Sequence, residues 1–352
     1  MKNPFASAMK AAHLMSKGRA MSAALVMQKA LLAPPAKKAP ARKAAKPRAK
    51  AAPRTLPTRP LPGSFVEGSF EGKHGTLRYR LYTPVGSPRR RLPLVVMLHG
   101  CSQSATDFAT GTRMNQLADE LGVVILYPEQ SPSANIGRCW NWHRPGDQAR
   151  GRGEPAMIAA LTRHAIALCR ADPARVYIAG ISAGGATAAI MGQAYPEIFV
   201  AVGIHSGVAF GDIRTLGGAL AAMRGRPGGA AATGRTPRPR PTIVFHGDGD
   251  KVVHPSNAEG FRSLLERATP GPITVQSREG ISAGGRAFTR TEHRNGQGLV
   301  MLENWTIHGS GHAWSGGARA GSYTDPAGPD ASREMLRFFL ARRRKTVARA
   351  PA

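Results

Sequence analysis

The sequence of 352 residues predicts an α/β fold, in which helices cover both faces of a mostly parallel central sheet. Two observations support this prediction. Short apolar segments alternate along the chain with longer amphipathic ones, and the segment Leu94–Leu98 is apolar at every position, as is typical of doubly covered parallel strands. Ahead of it, residues 65–70 and 76–82 alternate apolar and polar side chains around a Gly-containing turn at 71–75, which predicts an N-terminal β-hairpin.

The remaining elements follow in the same alternation. Helices are predicted at 106–121, 155–169, 183–194, 256–267 and 331–342, and strands at 123–127, 175–179, 200–204, 242–246 and 300–307. Residues 224–240 are rich in Gly, Pro and Arg, which predicts a surface insertion. We therefore expect one folded domain over residues 61–342, although length alone would suggest two.

Positive charge is concentrated at the N-terminus. Of the formal net charge of +28, half comes from residues 1–60, which hold 14 Lys or Arg and no Asp or Glu. This Ala, Pro and Lys composition predicts a largely disordered extension, acting either as a solvated linker or as an electrostatic anchor for a polyanion or a charged granule. Residues 343–352 form a second, shorter basic tail.

The sequence predicts no integral membrane segment, because no apolar run approaches the ~18 residues that a membrane span needs. The apolar stretch at 20–32 is interrupted by polar residues and makes a poor secretory signal. No Cys/His cluster has the spacing of metal ligands, so we expect no metal.

Gly180-Ile181-Ser182-Ala183-Gly184 matches the G-x-S-x-G pattern of a nucleophile elbow, which requires a strand before the serine and a helix after it. The six letters at 180–185 recur at 280–285, where Ser282 follows a polar segment and precedes the strand-like residues 286–293. Ser282 is therefore expected to lack both the strand before it and the helix after it. We predict that Ser182 is a catalytic nucleophile and that Ser282 lies in a loop.

A nucleophilic serine needs a general base, and the base needs an orienting carboxylate. In enzymes with a nucleophile elbow the three residues follow in the chain order Ser, acid, His. Asp248 and Asp250 both follow the strand predicted at 242–246; Asp250 is favoured, with Asp248 capping the turn. His312, in a Gly-rich loop after the strand predicted at 300–307, is favoured as the base, with His308 as the alternative.

Two backbone N–H groups are predicted to form an oxyanion hole, those of Ala183 and Cys101. The three tryptophans Trp140, Trp142 and Trp314 are predicted to build an apolar acyl pocket, with core packing as the alternative. The full set of predicted pocket residues is His99, Gln103, Trp140, Trp142, His254 and Trp314.

Together these segments resemble the polyhydroxybutyrate (PHB) depolymerase family of esterases, whose catalytic domains are related to feruloyl and acetylxylan esterases. The matching segments run in family order through residues 63–340 and are Leu98-His99-Gly100-Cys101-Ser102-Gln103, Cys139-Trp140-Asn141-Trp142, and those at 152–155, 177–185, 246–250, 253–257, 311–317, 321–326 and 328–331. The resemblance implies an α/β-hydrolase fold and a triad of Ser182, Asp250 and His312, with Cys101 in the oxyanion position. It also implies hydrolysis of short-chain hydroxyalkanoate esters without a cofactor.

Three functions stay open at this point: a polyester or oligomer hydrolase, a feruloyl or acetylxylan type of carbohydrate esterase, and a polyanion- or granule-binding protein acting through residues 1–60. Polymer depolymerases of the family usually carry a binding domain after the catalytic one, and this sequence ends about ten residues past the closing helix, so oligomers or amorphous polymer are the expected polyester substrates.

The family implies an extracellular location, whereas the poor signal leaves a cytoplasmic, granule-associated protein as the alternative. Cys101 and Cys139 could be joined by a disulfide, which would leave Cys169 as an unpaired cysteine in a predicted helix.

Overall fold

The computed structural model describes residues 63–86, 91–209, 215–226 and 240–344. The N-terminal extension at 1–60, most of the insertion predicted at 224–240 and most of the basic tail lie outside the described residues, so the predictions made for them stay predictions.

The strands are β1 Ser64–Gly72, β2 Gly75–Thr83, β3 Leu94–Leu98, β4 Val124–Glu129, β5 Val176–Ile181, β6 Ala201–His205, β7 Thr242–Gly247, β8 Thr274–Ile281, β9 Ala287–Arg294, β10 Val300–Ile307, β11 Trp314–Ser315 and β12 Thr324–Asp325. The helices are α1 Ala105–Thr112, α2 Met114–Leu121, α3 Gly153–Leu168, α4 Ala183–Ala194, α5 Leu216–Met223, α6 Ser256–Ala268 and α7 Ala331–Leu340, with a 3₁₀ turn at Pro145–Asp147.

Strands β1 to β10 form one sheet in the order β1-β2-β4-β3-β5-β6-β7-β10-β9-β8. The six central strands, from β4 to β10 in that order, are parallel, and an antiparallel pair flanks them on each side. The predicted mostly parallel α/β architecture and the N-terminal hairpin are confirmed. Because β5, β7 and β10 run in the same direction, the loops that follow them leave from one edge of the sheet.

The core lies on both faces of this sheet. In β3 the side chains of Leu94, Val96 and Leu98 pack into one apolar cluster with residues of α3 to α6, and those of Val95 and Met97 pack into a second with residues of α1, α2 and α7. All five side chains are completely buried. The continuous apolar pattern of β3 therefore reflects burial on both sides, as predicted.

The prediction of one continuous helix over 106–121 is wrong in one respect, because the helix is interrupted at Arg113. Arg113 has a left-handed backbone, with φ of 55°, and separates α1 from α2. The guanidinium of Arg113 donates to Gly316 O at 2.7 Å and to Asp330 Oδ2 at 2.9 Å, while Ser332 Oγ donates to Thr112 O at 2.6 Å. The break is thus stabilised by contacts with the C-terminal part of the chain, which no local pattern reveals.

Strand β8 and helix α5 were not predicted. β8 is exposed at nearly every position and lies at the edge of the sheet, so it has no apolar alternation by which to recognise it. Within the part of the chain that the structure describes, no helix combines the length and apolar character needed to cross a bilayer.

Candidate active site

Ser182 occupies a strained turn between β5 and α4. Its φ of 57° and ψ of −121° are rare for a residue with a side chain, and such conformations cost about 1–3 kcal/mol each. The backbone N–H of Ser182 donates to His205 O at 2.9 Å, which holds the turn against the end of β6. The serine is 9% exposed and therefore retains access from the surface. Strand, strained serine and helix together form the arrangement that the sequence pattern predicted.

Two glycines allow this turn to approach β3. A Cβ atom added to Gly184 would lie 2.2 Å from Leu98 O and 2.5 Å from His99 O, and one added to Gly180 would lie 2.4 Å from the backbone of Gly184. Backbone atoms cannot move aside as a flexible side chain can, so both positions require glycine. The start of α4 is consequently held beside the loop that follows β3.

Asp250 and His312 form a buried hydrogen bond between the loops after β7 and β10. His312 Nδ1 lies 2.7 Å from Asp250 Oδ2, and the Asp250 side chain is completely buried. Asp250 Oδ1 accepts from the backbone N–H groups of Val252 at 2.8 Å and Val253 at 3.0 Å. The carboxylate is thus fixed by its own loop and directed at the histidine.

A second buried histidine, His246, lies beside Asp250. His246 Nε2 donates to Val253 O at 2.9 Å and lies 3.5 Å from Asp250 Oδ2. Burial alone would raise the pKa of Asp250, but the N–H groups of His246 and His312 outweigh it and hold that pKa well below its usual value. The carboxylate therefore stays ionised when the neighbouring ring gains a proton.

His205 connects the segment that follows His312 to the turn that carries Ser182. Burial, reinforced by the positive charges that His246 and His312 would carry, lowers the pKa of His205 to about 3. The ring is accordingly neutral, and its Nε2 accepts the backbone N–H of Ser315 at 2.9 Å. Because the carbonyl of His205 also holds the N–H of Ser182, the same residue contacts the elbow and the segment that follows His312.

Asp248 and His308, the alternative acid and base, contact each other and not the buried pair. His308 Nδ1 lies 2.9 Å from Asp248 Oδ2, and both side chains are 42% exposed. The structure therefore contains two Asp–His pairs between the same two loops, one buried and one at the surface.

The loop that follows β3 carries the predicted oxyanion residue Cys101. A disulfide joins Cys101 to Cys139, and the N–H of Ser102 donates to Gly137 O at 2.7 Å. Gln103 Oε1 accepts the backbone N–H of Gly100 at 2.9 Å, which shapes the loop from within. Across from it, the N–H of Ala183 is one of the first four of α4 and has no acceptor in that helix. The start of α4 and the loop that carries Cys101 are thus neighbouring segments.

The three tryptophans of the predicted acyl pocket pack in the core, which was the alternative that the sequence left open. Trp140 and Trp314 are 0% and 1% exposed, and Trp142 is also buried, so all three belong to the core. The indole N–H of Trp140 donates to His99 O at 3.1 Å, and that of Trp314 donates to Ser332 Oγ at 3.0 Å. Both polar atoms are used internally, as is usual for buried tryptophans.

The other predicted pocket residues also have structural partners. His99 is completely buried, and its Nε2 accepts the N–H of Gln130 at 3.0 Å. Gln103 is buried and donates through Nε2 to Asp107 at 3.0 Å. His254, by contrast, is exposed, and its ring contacts Ser256 Oγ at 2.9 Å at the start of α6.

Ser282 lies in the tight turn between β8 and β9, where its Oγ accepts the N–H of Arg286 at 2.9 Å and donates to Ala327 O at 2.5 Å. The expectation that it lacks a preceding strand is wrong, because β8 leads into it. A second strand follows it, however, in place of the helix that an elbow requires.

A buried carboxylate near the disulfide was not predicted. Glu154, at the start of α3, accepts hydrogen bonds from Gln130 Nε2 at 2.6 Å, from Asn141 Nδ2 at 2.6 Å and from Asn141 N at 2.7 Å. Burial raises the pKa of Glu154 to about 7, although these hydrogen bonds oppose the shift. The network joins α3 to the segment that contains Cys139, whose carbonyl accepts from Gln130 Nε2 at 3.1 Å. Its sequence signal is the acid of the segment at 152–155, which the family pattern contains without indicating a role.

Among the described residues, no group of three His, Cys, Asp or Glu side chains is arranged to hold a metal ion. Ser182, His312 and the ionised carboxylate of Asp250 lie at one edge of the sheet. Side chains of these types can carry out acid–base and nucleophilic chemistry.

Comparison with known proteins shows which family and which relatives this chain resembles. The profile of the family described as esterase PHB depolymerase matches residues 77–278. Poly(3-hydroxyalkanoate) depolymerase C of Paucimonas lemoignei is 30% identical over 255 residues, which are 69% of this chain and 60% of that protein. Feruloyl esterase B of Neurospora crassa is 32% identical over 244 residues, which are 63% of this chain and 80% of that protein. The chain therefore spans less than two thirds of the length of that depolymerase.

Among solved structures, the acetyl xylan esterase from Aspergillus awamori aligns with a TM-score of 0.54 and 20% sequence identity, covering 79% of this chain and 99% of that one. At this identity the likeness concerns the fold, which is that of the α/β-hydrolase esterases.

Replacing Glu154 by Gln keeps the size of the side chain and removes its titration. Between the ordinary pKa of 4.5 and the raised value of about 7, the folded state retains a proton that the unfolded state has lost. The stability of the wild type therefore falls as pH rises through that window. Relative to E154Q, we expect its free energy of unfolding to decrease by about 1–3 kcal/mol between pH ~4.5 and ~8.

Urea denaturation of both proteins at the two pH values measures this difference, and the titrations they share cancel. A gap between the two proteins that stays constant, or that changes in the opposite direction, would contradict the raised pKa.

Proposed function

Because this chain belongs to the esterase family of PHB depolymerases, we propose that it is a serine esterase that hydrolyses short-chain polyhydroxyalkanoate polyester, or its oligomers, through an acyl-enzyme. The observation that carries the proposal is the buried contact of 2.7 Å between His312 and Asp250, at the sheet edge that also presents Ser182. A histidine held through Nδ1 by an ionised carboxylate has its Nε2 available as a general base.

In the proposed first step, Ser182 Oγ attacks the ester carbonyl carbon while His312 takes the hydroxyl proton. Asp250, kept ionised by its N–H donors, stabilises the imidazolium that results. The negative charge that develops on the carbonyl oxygen is assigned to the N–H groups of Ala183 and Cys101. Each such donor contributes about 3 kcal/mol to transition-state stabilisation in comparable enzymes.

Collapse of the tetrahedral intermediate breaks the bond to the alcohol oxygen, which receives the proton from His312. The acyl group stays on Ser182. Water then attacks the acyl-enzyme, with His312 again accepting a proton, and the second collapse releases the carboxylic acid and restores the serine hydroxyl. No step requires a cofactor.

The polyester substrate is supported by the family match and by the depolymerase of P. lemoignei. A second candidate function, removal of feruloyl or acetyl groups from carbohydrate, is supported by the 32% identity to feruloyl esterase B, of whose length this chain spans 80%. Both functions use the same triad, so they differ only in the groups that contact the acyl and alcohol parts of the substrate.

We propose an extracellular location for the enzyme. The disulfide between Cys101 and Cys139 supports it, because such bonds persist in oxidising compartments. A cytoplasmic, granule-associated protein is the alternative. The positive charge of residues 1–60 supports an accompanying role, in which this arm contacts a polyanion or a granule surface through salt-sensitive electrostatic attraction.

Substitution of the two serines with identical local sequence tests the nucleophile. We expect Ser182→Ala to reduce kcat for p-nitrophenyl butyrate by at least about 10³-fold, because the attacking oxygen is lost. Ser282→Ala should keep nearly the wild-type rate, since that residue lies in a β-turn, and it is the matched control. Equal losses in both variants would contradict the assignment.

A direct comparison of kcat/KM separates the two substrate classes. We expect 3-hydroxybutyrate oligomers to be cleaved at least about tenfold faster than methyl ferulate, a difference of ~1.4 kcal/mol in transition-state binding. The rate of product formation from each substrate is measured by chromatography with the same enzyme preparation, and S182A gives the background rate of hydrolysis. Faster release of ferulate would replace the polyester proposal with the carbohydrate esterase.

A further inference from the structure

We infer that Asp248 and His308 are positioning residues that hold the loop after β7, here called the acid loop, against the loop after β10, here called the base loop, and thereby place His312. The inference rests on the proposed function, because it concerns the general base of that mechanism. Neither residue contacts the Asp250–His312 pair in this arrangement, so their effect is exerted through the backbone of the two loops.

Asp248 binds the base loop through three separate contacts. Its Oδ2 lies 2.9 Å from His308 Nδ1, and its Oδ1 accepts the backbone N–H of Gly309 at 2.7 Å. The N–H of Asp248 donates to Ile307 O at 3.1 Å. One residue of the acid loop is therefore bonded to three consecutive residues at the end of β10.

His308 is held from its other side by β9. Its ring Nε2 lies 2.9 Å from Thr289 Oγ1, and its backbone N–H donates to Ala287 O at 2.9 Å. Because a carboxylate can only accept, the ring donates to Asp248 from Nδ1. The ring is thus fixed at both nitrogens, between a strand and the acid loop.

The segment between His308 and His312 contains two glycines. Gly309 has φ of 67°, and Gly311 is a second glycine in the same short segment, so the backbone there has many accessible conformations. The acid loop adds one more contact, from Gly249 N to Ser310 O at 3.0 Å. Asp248 and His308 therefore bind the start of a glycine-containing segment that leads to His312.

The exposure of the pair separates this role from a contribution to global stability. Both side chains are 42% exposed, and even fully charged pairs at that exposure add little to the free energy of unfolding. A change in the placement of His312, by contrast, acts directly on the rate of proton transfer, and misplacement by about 1 Å costs on the order of 10²-fold in rate.

The test compares Asp248→Asn, His308→Leu, His308→Asn and the double variant D248N/H308L with the wild type in p-nitrophenyl butyrate hydrolysis. We expect kcat to fall about 10- to 100-fold in D248N and H308L while KM changes less than about twofold. H308N should recover most of kcat, because its amide can donate from near the position of Nδ1. The double variant should be no slower than the slower single variant.

Glu120→Gln is the matched control, because it disrupts another exposed pair, that of Glu120 with Arg333, whose side chains are 51% and 49% exposed. We expect E120Q to keep the wild-type kcat. Wild-type kcat in both D248N and H308L, or additive losses in the double variant, would overturn the inference. A loss of about 10⁴-fold in D248N would also overturn it, because Asp248 would then be the orienting acid itself.

A second readout does not depend on ester hydrolysis. The proton shared by His312 Nδ1 and Asp250 is expected to give a resolved downfield resonance in protein labelled with ¹⁵N-histidine. That resonance should broaden or shift in D248N and H308L, return in H308N and stay unchanged in E120Q. If the wild type cleaves no ester, the proposed function fails while this spectrum still decides the positioning role; an unchanged resonance in D248N and H308L overturns the inference.

Discussion

The candidate active site depends on the close approach between the serine turn and the end of β3. The Cβ of any residue larger than glycine at position 184 would lie 2.2 Å from Leu98 O, inside the contact distance of the two atoms. This approach brings the first N–H groups of α4 beside the loop that carries Cys101, and the disulfide to Cys139 holds that loop from its far side. The strained backbone of Ser182 follows from the same constraint, since the chain must reverse direction within one residue.

The parallel sheet then determines where the acid and the base can lie. Strands β5, β6, β7 and β10 are neighbours in that order, so the segments that follow them converge at one edge. His205 at the end of β6 connects the serine turn to Ser315, and Asp250 connects the loop after β7 to His312. Each connection crosses between elements distant in sequence. The site therefore depends on the side-by-side packing of these four strands.

The places of Ser182, Asp250 and His312 could be predicted from the sequence, because they depend on strand ends, which apolar patterns reveal; their catalytic roles stay a prediction. Bulky aromatic residues carry no such positional signal. Trp140 and Trp314 stand in motifs beside the site, yet their indole rings fill the core, and only the three-dimensional packing distinguishes the two uses. Glu154 was missed because an acid at a helix start is ordinarily exposed, and its burial against Gln130 and Asn141 comes from distant segments. Strand β8 was missed because nearly all of its side chains are exposed, so it has no buried apolar face.

The proposed mechanism requires that the His312–Asp250 pair activates Ser182. Reaction with diethyl p-nitrophenyl phosphate, followed by mass spectrometry of the digested protein, measures that activation. We expect one phosphoryl adduct per chain on the peptide that contains Ser182, formed about 10³- to 10⁴-fold more slowly in Asp250→Asn. An adduct on Ser282, or undiminished labelling of Ser182 in D250N, would contradict it.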